Sequence, residues 1–379
     1  MNVYERLFAA LDVAHGRVPD KVPNHFVSLR PGFAKNVENS IELKDEDIVF
    51  ESGFDLTIAK AIGAESLKCG PSLTGYTSIP FPTDYFDGKN IPASDRGSYH
   101  VGIYGEITKQ DTRATDEFDS WYMDGCITDE AKFEAWKPYM LAPRPPKADV
   151  LRAFDSFATM AITKGICPVP THGGPFTAVL EGMGWPAFAK YSRKNPGFIE
   201  RFADIVTTTS EAYLKAVAHG TCIKIFHIPD DIAMKQNVML TPKMMETVFF
   251  PFYQRYAEAV HREHGKIFLH TDGFVEPLIK YLVDAGFDGL QCLESAAGVD
   301  IIRVKKEWGD KLCLIGNVDC NRDLFFLSPA EMRAKARAMV ESLKGGGGYI
   351  FGPSSTLYSG HPLPVVKAMV DGWKDARDY

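Results

Sequence analysis

Lys266-Ile267-Phe268-Leu269-His270-Thr271-Asp272-Gly273 is the stretch on which the fold turns. Its apolar run is too short for a helix and shows no polar alternation, the mark of a strand buried on both faces of a parallel sheet. The run ends abruptly in a histidine, an aspartate and a glycine. Similar runs at 165–170, 222–227, 289–294, 312–318 and 348–352 are separated by longer segments of helical periodicity. Such repeated βα units predict an α/β fold, a TIM-type (β/α)8 barrel.

Working outward, the helices announce their ends. Thr241-Pro242 supplies an N-cap and a first-turn proline for a helix over 243–264, with Gly265 placed as its C-terminal glycine. Ser328-Pro329-Ala330-Glu331 reads as a capping box. Residues 66–130, rich in Gly, Pro, Tyr and Thr, read instead as a β-hairpin-rich insertion over the barrel mouth, and 142–146 as a stiff connector into a helix over 149–164. The 379 residues exceed the ~250 of a plain barrel, and we assign the excess to this insertion and an N-terminal extension. The chain is therefore read as one domain, 1–379, with 150–375 as its best-defined core.

Composition narrows the function. Hydrophobic residues make up 45% and charged residues 24%, the ordinary globular range, so disorder and coiled coil are excluded. A net charge of −7 without basic blocks argues against nucleic acid and leaves small molecules or proteins as partners. The 7 cysteines form no C-x-x-C pair or disulfide framework, which points to a reducing cytoplasm. No apolar run approaches the ~20 residues of a membrane span, and the N-terminus lacks a signal-peptide core.

In a barrel, chemistry sits where strands end. The runs here end in Thr171-His172-Gly173-Gly174, His227-Ile228-Pro229-Asp230-Asp231, His270-Thr271-Asp272-Gly273, Glu294-Ser295, Asn317-Val318-Asp319-Cys320 and Pro353-Ser354-Ser355. Imidazoles and carboxylates converging on one mouth suggest a metal site or an acid/base site. The bend at Asp272-Gly273 lets His270 and Asp272 turn toward one point, and Glu294 would complete a nitrogen and two-oxygen set for zinc or another divalent ion. His172, His227 and Asp230 are the candidate catalytic groups. Capping of a neighbouring helix explains Asp230, Asp231 or Asp272 equally well.

In combination, His227-x-x-Asp230-Asp231, Leu240-Thr241-Pro242, Pro251-Phe252-Tyr253, His264-Gly265-Lys266, His270-x-x-Gly273, Ile315-Gly316-Asn317-Val318-Asp319 and Gly348-Tyr349-Ile350 with Pro353-Ser354 resemble the uroporphyrinogen decarboxylase superfamily. The resemblance implies either cofactor-free decarboxylation or methyl transfer involving a corrinoid protein. Decarboxylases of the family carry an N-terminal Arg-Gln-x-Gly-Arg element, where this chain has Ser28-Leu29-Arg30-Pro31-Gly32-Phe33, and one arginine is a poor match for eight carboxylates. The methyltransferase branch is the closer likeness. It often holds zinc on a His-x-Cys pair and a later Cys, and here Asp272 and Ser355 stand at those places. A His/carboxylate site is harder and suits polarising an oxygen rather than activating a thiol.

The expectation is thus a methyltransferase moving a methyl group from a small donor, such as a methoxylated aromatic, to the Co(I) of a partner corrinoid protein. His270, Asp272 and Glu294 would hold the metal, and His227 or His172 would donate a proton. Arg30, Asp231, Asn317 and Tyr358 would contact substrate, and Tyr76, Phe81, Tyr85, Tyr99 and Tyr104 would wall a ring pocket. The alternatives are a decarboxylase of a smaller carboxylate, using Arg30 with Asp55 or His361, and a non-catalytic corrinoid or tetrapyrrole binder. Homo-oligomerisation is compatible with each.

Overall fold

The computed structural model describes residues 1–43, 48–49, 54–75, 78–110 and 120–379, with backbone alone at 54 and 55. Its strands are β1 (Ser66–Lys68), β2 (Tyr99–Val101), β3 (Glu106–Gln110), β4 (Ser120–Gly125), β5 (Cys167–Val169), β6 (Ile225–Pro229), β7 (Lys266–Thr271), β8 (Gly289–Cys292), β9 (Cys313–Val318) and β10 (Tyr349–Pro353). The last five form one parallel sheet in sequence order, and β1 pairs in parallel with β5. Strands β7 to β10 are buried along their whole length, as uninterrupted apolar runs require.

Single parallel bridges join these sheets. Asn24 pairs with Phe351 of β10, Phe26 with Leu67 of β1, and Thr171 beyond β5 with His227 of β6. The amides of His25, Phe26 and His227 donate across these seams to Phe351, Ser66 and Pro170 at 2.9, 3.0 and 2.9 Å. Eight extended segments thus follow one another in parallel, a TIM-barrel-like α/β arrangement. Two expectations change. Residues 66–68, read as the start of the insertion, are a strand of the parallel set, and the N-terminal region is no mere extension because 24–26 enters that set.

The helix Val3–Leu11 closes the N-terminal end of the strands. Its Val3, Leu7, Ala10 and Leu11 pack with Cys167, Val169, Ile225, Phe268, Cys313, Ile315 and Ile350. Lys266, paired with Asp12 at 2.7 Å and Asp288 at 3.0 Å, seals that rim. The polar strand ends gather at the opposite end.

The expected helix over 243–264 is two, Pro242–Val248 and Phe250–His261, because Pro251 has no N–H to continue the ladder through Phe249. The left-handed residue at its end is His264 (φ 59°), not Gly265. Glycine at 265 answers to space instead, since a Cβ there would lie 2.7 Å from the Lys224 carbonyl oxygen. Ser328 and Glu331 form the capping box as read.

Strands β2, β3 and β4 make an antiparallel meander. It lies against the helix Pro175–Met183, where the Ile127 amide donates to Gly182 at 2.9 Å and the Tyr122 hydroxyl to the Glu181 carbonyl at 3.2 Å. Among the described residues, no helix is long and apolar enough to cross a membrane.

Candidate active site

The strand ends and the meander enclose a cavity of about 690 Å³. The turn before β3 and the strand's first residue contribute Ile103, Tyr104 and Glu106, the β5 end and its helix His172, Thr177 and Glu181, and the β6 end and β7 contribute Asp230, Asp231 and His270. This is the size of a small-ligand site. Among the described residues, no Lys or Arg lines it.

Asp231 and His270, which line it, and Asp272, which lines a neighbouring cavity, each offer a ligand atom, all within 4.8 Å of one another. The Asp272 amide donates to Asp231 Oδ1 at 3.2 Å, and His270 Nε2 stands 3.7 Å from Asp272 Oδ1. The fully buried Gln291 fixes the imidazole. Its amide nitrogen faces the carbonyl oxygens of Pro353 and Ser354 at 3.5 and 3.3 Å, which only accept, so its oxygen must face His270 Nδ1. Nδ1 therefore carries the proton, and Nε2 presents a lone pair beside two carboxylates. Three acceptors facing one point fit a divalent cation, and the nitrogen and two-oxygen set is chemically suited to one. Asp231 is held above the ordinary carboxylate range, first by burial and then by Asp272.

This corrects the expected metal set. Asp231, read as a substrate contact, belongs to the cluster, and Glu294 does not. Cys292 and Leu293 take positive φ (90° and 51°) and turn the chain, so that the Glu294 carboxylate accepts from the Gly273 amide at 2.9 Å. Cys292 donates to Asp272 Oδ1 at 3.1 Å, and burial with the adjacent carboxylate keeps its thiol protonated. Among the described residues the cluster itself contains no cysteine, and the nearby Cys292 thiol is a donor to Asp272.

We expect Gln291→Ala to weaken divalent-ion binding by about 10–100-fold with the ligands intact, as loss of an orienting partner does. Titration against a chelating dye measures it, and an unchanged affinity would remove Gln291 from the site.

Asp230, expected to be catalytic, is a structural acceptor. Its carboxylate takes hydrogen bonds from the amides of Phe176 (3.0 Å) and Thr177 (2.7 Å) and from the Tyr253 hydroxyl (2.6 Å), capping the helix that begins at Pro175. Gly174 is the only residue that fits beside it, since a Cβ would fall 2.0 Å from Asp230 Oδ2. Burial outweighs these bonds and raises Asp230 to about 6.

His227 lies below the cavity. It stacks on Phe268 at 5.0 Å and meets His270 and His25 edge-on at 5.7 and 5.9 Å. Burial holds it well below the usual histidine range. His25, which gave no strand-end signal, is equally buried and lowered to about 3. Its Nδ1 donates to Ser66 Oγ at 3.0 Å, whose own proton goes to the Asn24 carbonyl. A buried histidine of lowered pKa stabilises the fold fully above the unfolded value near 6.5, and that contribution drains away as pH falls. At pH 5 the loss is about 2 kcal/mol for His25. The raised carboxyls of the site act oppositely, so the measurement is the difference between wild type and His25→Phe. Its denaturant midpoint should fall less steeply from pH 7 to 5, and parallel curves would contradict this.

Of the other expected residues, His172 lines the cavity, stacked on Tyr213 at 4.7 Å and lowered by burial to about 4, so it is neutral near pH 7. Arg30 and Tyr358 line a separate 260 Å³ cavity with Asp272 and Glu294. Asn317 reaches neither, donating instead to the Leu293 carbonyl at 2.8 Å. His361 spends both nitrogens on backbone, at Tyr358 N and Cys320 O (both 3.0 Å), which leaves none for proton transfer. Tyr104 lines the large cavity, whereas Phe81, Tyr85 and Tyr99 pack in a ring cluster with Phe86. Tyr76 and the Asp55 side chain lie outside the described residues. Sequence reasoning missed Glu106, Glu181 and Gln291. Only Gln291, a lone amide inside an apolar run, carried a signal.

Comparison with known proteins agrees with this architecture. No curated protein sequence matches the chain. A methyltransferase from Methanosarcina mazei superposes with a TM-score of 0.66 over 99% of both chains at 20% identity, a likeness of fold. D-psicose 3-epimerase from Clostridium cellulolyticum aligns over 65% of this chain and 92% of its own at 11% identity, with a TM-score of 0.38. The family model described as uroporphyrinogen decarboxylase (URO-D) matches residues 158–375, the span that carries β6 to β10 and the Asp231, His270 and Asp272 cluster, and the chain belongs to that family.

Proposed function

We propose that this protein is a methyltransferase that moves a methyl group from a small donor to the Co(I) of a corrinoid carried by a separate protein. The observation that carries the reading is the cation-seeking cluster of Asp231, His270 and Asp272, two of which, Asp231 and His270, line a small-molecule cavity. A polycarboxylate substrate suits this cavity poorly, because among the described residues its titratable lining is carboxyl groups and histidines, with no Lys or Arg to receive one. The similar fold of a protein described as a methyltransferase supports the same branch.

Methyl transfer to Co(I) is an in-line displacement in which the C–X bond breaks and its electron pair stays on the donor's heteroatom. A methoxylated aromatic is the donor we put first, since a hard His/carboxylate site is matched to an oxygen. A divalent ion held by the three ligands would polarise that oxygen. The chain's own part is to fix the His270 tautomer through Gln291, to hold Asp272 through Cys292, and to roof the donor with Ile103 and Tyr104.

The test supplies a Co(I) corrinoid protein with methoxylated aromatics and methylamines and follows loss of the Co(I) absorbance. Turnover with one donor class is expected. Release of CO₂ from a supplied carboxylate, or tight tetrapyrrole binding without turnover, would replace the reading by the decarboxylase or the carrier.

A further inference from the structure

Breaking an ether to give a phenol or alcohol needs a proton as well as a methyl acceptor, and neither histidine expected to supply it is suited. His227 is outside the cavity and His172 is neutral there. Glu181 is placed differently. It sits on the last turn of the helix Pro175–Met183, half-buried in the cavity wall, and its carboxyl group makes no hydrogen bond among the described residues. Its backbone carbonyl is held by Tyr122, so the side chain projects from a fixed point.

We propose that Glu181 is the proton donor to the leaving oxygen of the methyl donor. The inference rests on the methyl-transfer reading above. Burial and the groups that face Glu181 both favour its protonated form. Glu106 from the meander and Asp230 and Asp231 from the β6 end are all acidic, Tyr122 and Asp124 come from β4, and His172 is uncharged. Burial comes first and these like charges second in raising Glu181 to about 7. A carboxyl group poised near the working pH is the state a general acid needs. Glu106 is the weaker candidate, because its carboxylate already accepts the Tyr104 amide at 3.1 Å.

The step balances. The Co(I) electron pair forms the bond to the methyl carbon, the C–O pair stays on oxygen, and the Glu181 proton passes to that oxygen. The products are the alcohol or phenol, the methylated corrinoid and a Glu181 carboxylate, which regains its proton from solvent.

The test uses Glu181→Gln in the full-length protein, with two readouts. Infrared difference spectra at pH 6 should show a protonated-carboxyl band in wild type that the variant lacks; its absence from wild type overturns the proposal whether or not turnover is found. Turnover of aryl methyl ethers should fall about 10²–10³-fold in the variant, and most for the least acidic phenols. The wild-type rate should also decline as pH rises through about 7, a limb absent from the variant. An equal loss across all leaving groups would assign Glu181 to positioning and overturn the proposal. No turnover with any donor in wild type, with the band present, would count against methyl transfer instead.

Discussion

His270→Ala is expected to abolish stoichiometric divalent-ion binding and to lower methyl transfer by about a thousandfold, since the polarisation an ion provides is worth several kcal/mol of barrier. The imidazole is the only nitrogen in the cluster and the only member held through a buried amide on its far side. Removing it leaves two carboxylates of one sign, Asp231, which accepts from the Asp272 amide, and Asp272, which bind divalent ions weakly without a third ligand. Metal analysis of protein purified without chelator, paired with the corrinoid assay, measures both effects. Full metal content in the variant would move the site elsewhere, and full metal loss with unchanged turnover would make the ion structural.

Asp230→Ala should instead be felt as a loss of stability, about 3 kcal/mol or more. The substitution strands the amides of Phe176 and Thr177 and the Tyr253 hydroxyl in a buried place, and each unsatisfied donor costs about 1–3 kcal/mol. Chemical denaturation with a two-state midpoint measures it. Normal stability with lost turnover would restore Asp230 to the catalytic role that the sequence suggested.

The contrast between these neighbours explains how much of the site was legible. Adjacent residues at a strand end point to opposite sides, so of Asp230 and Asp231 one had to face the helix and one the cavity. Residue identity does not say which. The His270 and Asp272 pairing was readable because Gly273, at φ 88°, marks the bend that brings them together. Glu294 was misplaced because its turn is made by Cys292 and Leu293, side chains that rarely adopt positive φ and so give no warning. The same limit applies to the fold. The long apolar runs of β7, β9 and β10 were plain, whereas residues 24–26 and 66–68 are too short to show a period and join the parallel set through neighbours distant in sequence. Glu181 lies on a helix, where a strand-end rule does not look.

Gly173 and Gly174 are indistinguishable as letters, yet they tolerate change very differently. A Cβ at 173 meets nothing within 4 Å and the residue is half-buried at the cavity wall, so a side chain there would cost the fold little. One residue later the same methyl group would displace the Asp230 carboxylate and uncap a helix whose last turn carries Glu181. The fold should therefore accept a side chain at 173, where it would stand in the cavity wall, and refuse one at 174, where a lone alanine would be felt at the far end of that helix.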